Sequence, residues 1–135
     1  MPDKNSVTRK RRERRRSCIS KDHLICSDSV SHKGICIWLT GLSASGKSSI
    51  AHEVESRLFQ KGAKTYVVDG DVVRRGISSD LGFSVEDRNE QSRRVGEIAK
   101  MFVDAGIIVL VALISPFSSQ RERVRKLFSN EDFLE

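Results

Sequence analysis

Eight consecutive residues, Gly41-Leu42-Ser43-Ala44-Ser45-Gly46-Lys47-Ser48, have the types and spacing needed to hold a polyphosphate. The two glycines let the backbone between them turn successive N–H groups inward onto anionic oxygens. Lys47 can reach the β- and γ-phosphates, and the Ser48 hydroxyl is a hard oxygen ligand suited to magnesium. Ser49 completes the candidate nucleotide-binding set, at the start of a helix whose N-terminal end adds positive potential. The expected ligands are a nucleoside triphosphate and Mg2+. Further on, Asp69 and Asp71 flank Gly70. A carboxylate there could take the proton of a hydroxyl that attacks a γ-phosphate, or face hydrated magnesium. An Asx turn that closes a strand would use the same residues.

Arg74, Arg75, Arg88, Arg93 and Arg94 follow as a basic set. Guanidinium forks match the oxygens of sulfate and phosphate, although each arginine alone would equally suit a solvated helix face. Phe83 and Phe117 could stack on a purine or simply pack in a core.

These residues need elements to hold them. Residues 35–40 form a short apolar run that reads as a buried parallel strand. Residues 47–61 read as a helix, with Ile50, Val54, Leu58 and Ala51 towards one face and Gly62 as its stop. A second strand covers 65–69. Ser84-Val85-Glu86-Asp87 matches a capping box, with Asp87 in the position usually held by Glu or Gln. The helix that it starts is expected to run to about residue 105, with Val95, Ile98, Ala99, Phe102 and Val103 as its apolar face. Residues 107–114 are apolar and β-branched, a third strand, and 118–128 read as a further helix. The order βαβαβα predicts an α/β fold, with helices on both faces of a parallel sheet and right-handed crossovers. The three polar motifs then fall at the carboxyl ends of three strands, where such sheets bind ligands.

The charge of +6 is unevenly spread: residues 1–33 hold ten Lys/Arg and four Asp/Glu, and residues 34–135 hold fourteen of each. The expected organisation is therefore a basic, disordered arm over 1–33 and a neutral core over 34–135. No aromatic residue is interleaved in the arm to stack on bases, so nucleic-acid binding is not expected of it. Cys18, Cys26 and Cys36 show no metal-ligand spacing and no disulfide framework, which points to a reducing, cytoplasmic setting. No run is long and apolar enough to cross a bilayer.

The ordered series of motifs resembles the adenylyl-sulfate kinase (APS kinase) family. The resemblance rests on residues 37–48, on Val68-Asp69-Gly70-Asp71-Val72-Val73-Arg74, on residues 80–88, on Arg93-Arg94-Val95-Gly96-Glu97, and on Ile114-Ser115-Pro116-Phe117 with Arg121, Arg123 and Val124. It implies an adenylate-kinase-like P-loop fold and transfer of the ATP γ-phosphate to the 3′-hydroxyl of adenosine 5′-phosphosulfate, giving PAPS and ADP in sulfate assimilation. By the same resemblance residues 41–49 hold ATP, Ser48 and Asp69 hold magnesium, and Asp71 lies nearest the 3′-hydroxyl. Lys47 and Ser115 complete the catalytic set. Arg74 and Arg88 would take the phosphosulfate, Phe83 and Phe117 the adenine, with Gln91, Ile114 and Ser115 lining the pocket. Direct in-line transfer needs only positioning and charge neutralisation, so a phosphoserine at Ser115 is not required. A homodimer and a functional link to ATP sulfurylase are also implied.

Two departures fall on the acceptor side. Val72-Val73-Arg74-Arg75 stands where the family has Asn-Val-Arg-His. Glu90-Gln91-Ser92 stands where Glu-Asn and an apolar residue are usual. The family also continues beyond the equivalent of Glu135 into another strand and a Lys/Arg-rich lid. The expectation is therefore a shortened kinase domain, with an unpaired edge on strand 35–40, weak nucleotide binding and little turnover. Another P-loop small-molecule kinase or NTPase, and a shortened homologue acting only by binding, remain open alternatives.

Overall fold

The computed structural model describes residues 32–135. The arm's basic run, Cys18 and Cys26 lie outside the described residues. Four strands, β1 (Ile35–Leu39), β2 (Thr65–Asp69), β3 (Ile108–Ala112) and β4 (Phe133–Leu134), form one sheet in the order β2-β3-β1-β4. All three pairings are parallel, with Ile35 opposite Ile108, Thr65 opposite Ile108, and Cys36 opposite Phe133. The helices are α1 (Lys47–Gln60), α2 (Gly70–Arg75), α3 (Val85–Asp104) and α4 (Ser118–Arg125).

β3 is buried along its whole length because it lies between two strands and under helices, which is why its sequence is a continuous apolar run. One core joins Cys36 and Trp38 of β1, Val109 and Val111 of β3, Val95 and Ala99 of α3, and Val124 and Phe128 near α4. Gly96 brings α3 and α4 together: a Cβ there would lie 3.1–3.2 Å from Leu127 and Val124. The Ser84 hydroxyl accepts the Asp87 N–H at 3.0 Å, which confirms the start expected for α3.

Two expectations change. The apolar stripe of α1 runs through Ala51, Val54 and Leu58, so Ile50 falls at its edge and is exposed. Only Ala51 is fully buried, because a small residue lets the helix approach the sheet. The edge of β1 is also not bare. Phe133 and Leu134 pair with Cys36 and Ile37, and Phe133 packs against Trp38 and Phe128 with ring centroids 6.2 Å and 5.3 Å away. Among the described residues no helix is long and apolar enough to cross a membrane.

Candidate functional site

An open cleft of about 310 Å³ lies at the carboxyl ends of β1, β2 and β3. One side is the loop that leaves β1. Gly41 has φ 145°, and a Cβ there would sit 2.8 Å from the Ser45 hydroxyl. Gly46 has φ 88° and Ala44 φ 60°, so the loop alternates into left-handed backbone. Such alternation turns consecutive N–H groups into one concavity. α1 starts directly behind it. The Lys47 ammonium lies over the loop, donating to the Leu42 carbonyl at 2.5 Å and to the Ser45 hydroxyl at 3.2 Å.

Asp69 ends β2 and caps α2. Its Oδ1 accepts the Asp71 N–H at 2.9 Å, and its Oδ2 accepts the Ser48 hydroxyl at 2.5 Å. Burial works to raise the Asp69 carboxyl. The Ser48 hydroxyl, the Asp71 and Val72 amides and the charge of His52 outweigh it and hold the group below the ordinary carboxylate value. Ser48 and Asp69 thus present adjacent hard oxygens at the rim of the phosphate loop, a donor set that fits magnesium. Among the described residues there is no group of three or more His, Cys, Asp or Glu that could hold a metal by themselves. Two protein oxygens suffice for an ion that keeps several waters and also takes phosphate oxygens.

Asp71 differs from its neighbour. It is exposed, lines the cleft, and its carboxylate makes no hydrogen bond or salt bridge among the described residues, although its charge acts on Arg74. Gly70 between them keeps the turn close to β3: a Cβ would meet the Leu113 Cδ1 methyl at 2.6 Å and the Ala112 carbonyl oxygen at 3.3 Å, so the Leu113 side chain would have to move. The buried Gln91 fixes the turn from α3, its Nε2 donating to the Gly70 carbonyl at 3.0 Å.

Across the cleft from this loop, the Arg74 and Arg88 guanidinium carbons lie 4.5 Å and 5.8 Å from the centre of the Phe83 ring. Arg74 donates to the Gly82 carbonyl at 2.6 Å, and Arg88 to the Phe83 carbonyl at 3.1 Å. Burial, and then the charge of Arg88, push the Arg74 guanidinium below its ordinary value. Two like charges at the rim of one cleft are relieved by an anion bound between them. Arg93 and Arg94 do something else. Arg94 grips Asp80 with two bonds (2.6 Å and 2.8 Å), reaches Glu90 at 2.9 Å and donates to the Ile77 carbonyl at 2.9 Å. Arg93 pairs with the same Glu90. This clamp holds the loop that carries Phe83 against α3.

The cleft therefore gathers residues 43–49 with Asp69, Asp71, Arg74, Phe83, Arg88, Gln91 and Ile114. Gly41 and Leu42 shape the base of the loop without lining the cleft. Phe117, 44% exposed, precedes α4 outside it. Ser115 is buried behind the wall, its hydroxyl accepting from Trp38 Nε1 and donating to Thr40 Oγ1, both at 3.0 Å. Ala112 and Leu113 line the cleft as well. The sequence places them only within a strand; their position at its carboxyl end, with Ala112 the last paired residue and Leu113 just past it, is the signal that marks them.

The adenylylsulphate kinase family model matches residues 33–135. The chain belongs to the adenylylsulphate kinase family. An adenylyl-sulfate kinase of Thermodesulfovibrio yellowstonii is 62% identical over 104 residues, which are 77% of this chain and 52% of that protein. One from Buchnera aphidicola of Schizaphis graminum is 48% identical over 132 residues, 98% of this chain and 56% of that protein, so the match extends into the basic arm. Among solved structures, the APS kinase CysC of Mycobacterium tuberculosis in complex with AMPPNP and APS superposes with a TM-score of 0.72 at 46% identity, covering 76% of this chain and 60% of that one. The chain spans about half the length of the curated relatives that it matches. The P-loop NTPase fold expected from the motif order is the fold observed.

Proposed function

We propose that this chain carries the nucleotide-binding and acceptor-binding parts of an adenylyl-sulfate kinase, which moves the γ-phosphate of ATP onto the 3′-hydroxyl of adenosine 5′-phosphosulfate. The observation that supports the reading is the contrast between two aspartates separated by one residue. Asp69 is tied to Ser48 at the phosphate loop, while Asp71 stands free in the cleft.

The loop amides of 41–48 and Lys47 seat the triphosphate and gather the charge that builds on the transferred group. Ser48 and Asp69 are the residues that would hold magnesium, which supplies charge neutralisation on the β- and γ-phosphates when bound. Arg74 and Arg88 bind the phosphosulfate of the acceptor, and Phe83 offers its exposed ring to the adenine. Asp71 then accepts the proton of the 3′-hydroxyl as its oxygen attacks phosphorus in line and ADP leaves. On the same reading the protein works as a homodimer in the cytoplasm, on acceptor made by an ATP sulfurylase.

The test is ADP release by the 135-residue chain with ATP, Mg2+ and adenosine 5′-phosphosulfate. ADP formed only when the acceptor is present, and lost in Asp71→Asn, supports the reading. ADP formed equally without it would place the chain among other NTPases and overturn the assignment.

A further inference from the structure

The strand ladder between β1 and β3 ends at Leu39 opposite Ala112, with one more bond from the Leu113 N–H to the Leu39 carbonyl at 3.2 Å. Past that point the two chains separate, one into the phosphate loop and the other into residues 114–117. Side chains continue the connection. Trp38 Nε1 donates to the Ser115 hydroxyl at 3.0 Å, and the Ser115 hydroxyl donates to Thr40 Oγ1 at 3.0 Å. The Thr40 hydroxyl donates to the Ser115 carbonyl at 3.2 Å, and Arg121 reaches that carbonyl at 2.8 Å. Both hydroxyl protons in this set have an acceptor: Ser115 and Thr40 close a circuit through the Ser115 carbonyl, and Trp38 and Arg121 each donate into it. Trp38 and Ser115 are each 1% exposed, so the bond between them is shielded from water, while Thr40 closes the set from the exposed side.

We propose that Thr40 and Trp38 are positioning residues that act through Ser115 to fix the acceptor wall at Ile114 relative to the phosphate loop. The inference rests on the acceptor assignment made under Proposed function. The physical need is plain: in-line transfer depends on the separation of donor phosphorus and acceptor oxygen, and a displacement of about 1 Å can cost a factor of 10². The loop beginning at Gly41 sets the first of these positions, and Ile114 borders the second. Thr40 and Ser115 are the neighbours of those two residues in sequence, so the circuit joins the two halves at their nearest covalent points. The single proton of Ser115 is committed to Thr40, which makes its hydroxyl a strut here rather than a phosphate carrier.

The experiment compares wild type with Thr40→Val, Thr40→Ser and Ser115→Ala, each checked by circular dichroism. Amide hydrogen exchange is followed at Ile114, Ser115 and Phe117. Binding of ADP with Mg2+, and of adenosine 5′-phosphosulfate to the ADP-loaded protein, is titrated separately. Thr40→Val and Ser115→Ala are expected to speed exchange at these three amides by about tenfold or more and to weaken the acceptor by about tenfold. ADP should stay within twofold, Thr40→Ser should restore both values, and the double variant should be no worse than either single, because the two groups belong to one circuit. Unchanged exchange in Thr40→Val overturns the proposal. So does an equal loss of ADP and acceptor, which marks a merely structural role. A wild-type chain that binds ADP but no acceptor sinks the acceptor assignment instead, and the exchange data then decide the circuit alone.

Discussion

The two halves of the cleft, donor and acceptor on the proposed reading, are built by different means. The donor half is a backbone device: left-handed residues at 41, 44 and 46, a lysine, and a helix end, all within one short stretch of chain. The acceptor half is a side-chain device. Phe83 reaches its place because Arg74 and Arg88 hold the carbonyls of residues 82 and 83 and Arg94 clamps Asp80 and Ile77 to α3. A local backbone device tolerates changes elsewhere, whereas a side-chain net fails when one member is lost.

That contrast can be broken in order of effect. Asp71→Asn should have the largest, cutting turnover by about 10²–10⁴ while ADP–Mg2+ binding is retained, since on the proposed reading this carboxylate serves the acceptor hydroxyl and not the phosphate loop. A titration showing lost ADP binding would contradict the division between Asp69 and Asp71. Lys47→Ala should cost about 10²–10³ in turnover with acceptor affinity kept, because it removes one donor from the charged transition state. Arg88→Ala should weaken the acceptor by roughly 10- to 100-fold, the range of one charged hydrogen bond, with ADP binding intact. Equal weakening of both ligands would mean that the halves are not separable.

The clamp makes a smaller prediction. Arg93 and then Arg94 hold Glu90 down from the ordinary 4.5 to about 2, and Arg94 lowers Asp80 in the same direction. A depressed carboxyl contributes stability that is present above its unfolded value and is lost as the pH falls through its folded value. The Glu90 contribution should therefore fade between pH 4.5 and about 2. Arg94→Ala should move the acid transition, followed by circular dichroism, to higher pH. The smallest effect is a null at Cys36, whose thiol burial pushes up to about 12. The folded chain should resist alkylation there at neutral pH, and ready labelling would show that the β1 core opens.

The same contrast explains what could be read from the sequence. The phosphate loop was fully legible because its meaning lies in adjacent residues, and the strand–helix order followed from apolar runs and the Ser84 cap. The acceptor half was legible only as a set of arginines. Nothing in the spacing of Arg74, Arg88, Arg93 and Arg94 says that the first two flank Phe83 while the last two are neutralised by Glu90 and Asp80. Those partners are fixed by how α3 lies against the turn at 76–80. Likewise the resemblance implies Ser115 as a cleft residue, but its direction is set by Trp38, 77 residues away. Ile50 was misplaced because a stripe on a helix cannot show where the sheet comes closest.

The strand order has a kinetic consequence. β3 lies between β1 and β2, so the two strands that carry the phosphate loop and the aspartates have no direct bond to each other. During synthesis both emerge before the strand that joins them. Ser48 and Asp69 can be held together only after residues 108–112 have inserted between their strands. Such late, non-local closure is slow, and the nascent chain meanwhile carries two unpaired apolar strands. Nucleotide competence should thus appear in a single late step of folding, when the third strand arrives, and not grow gradually with chain length.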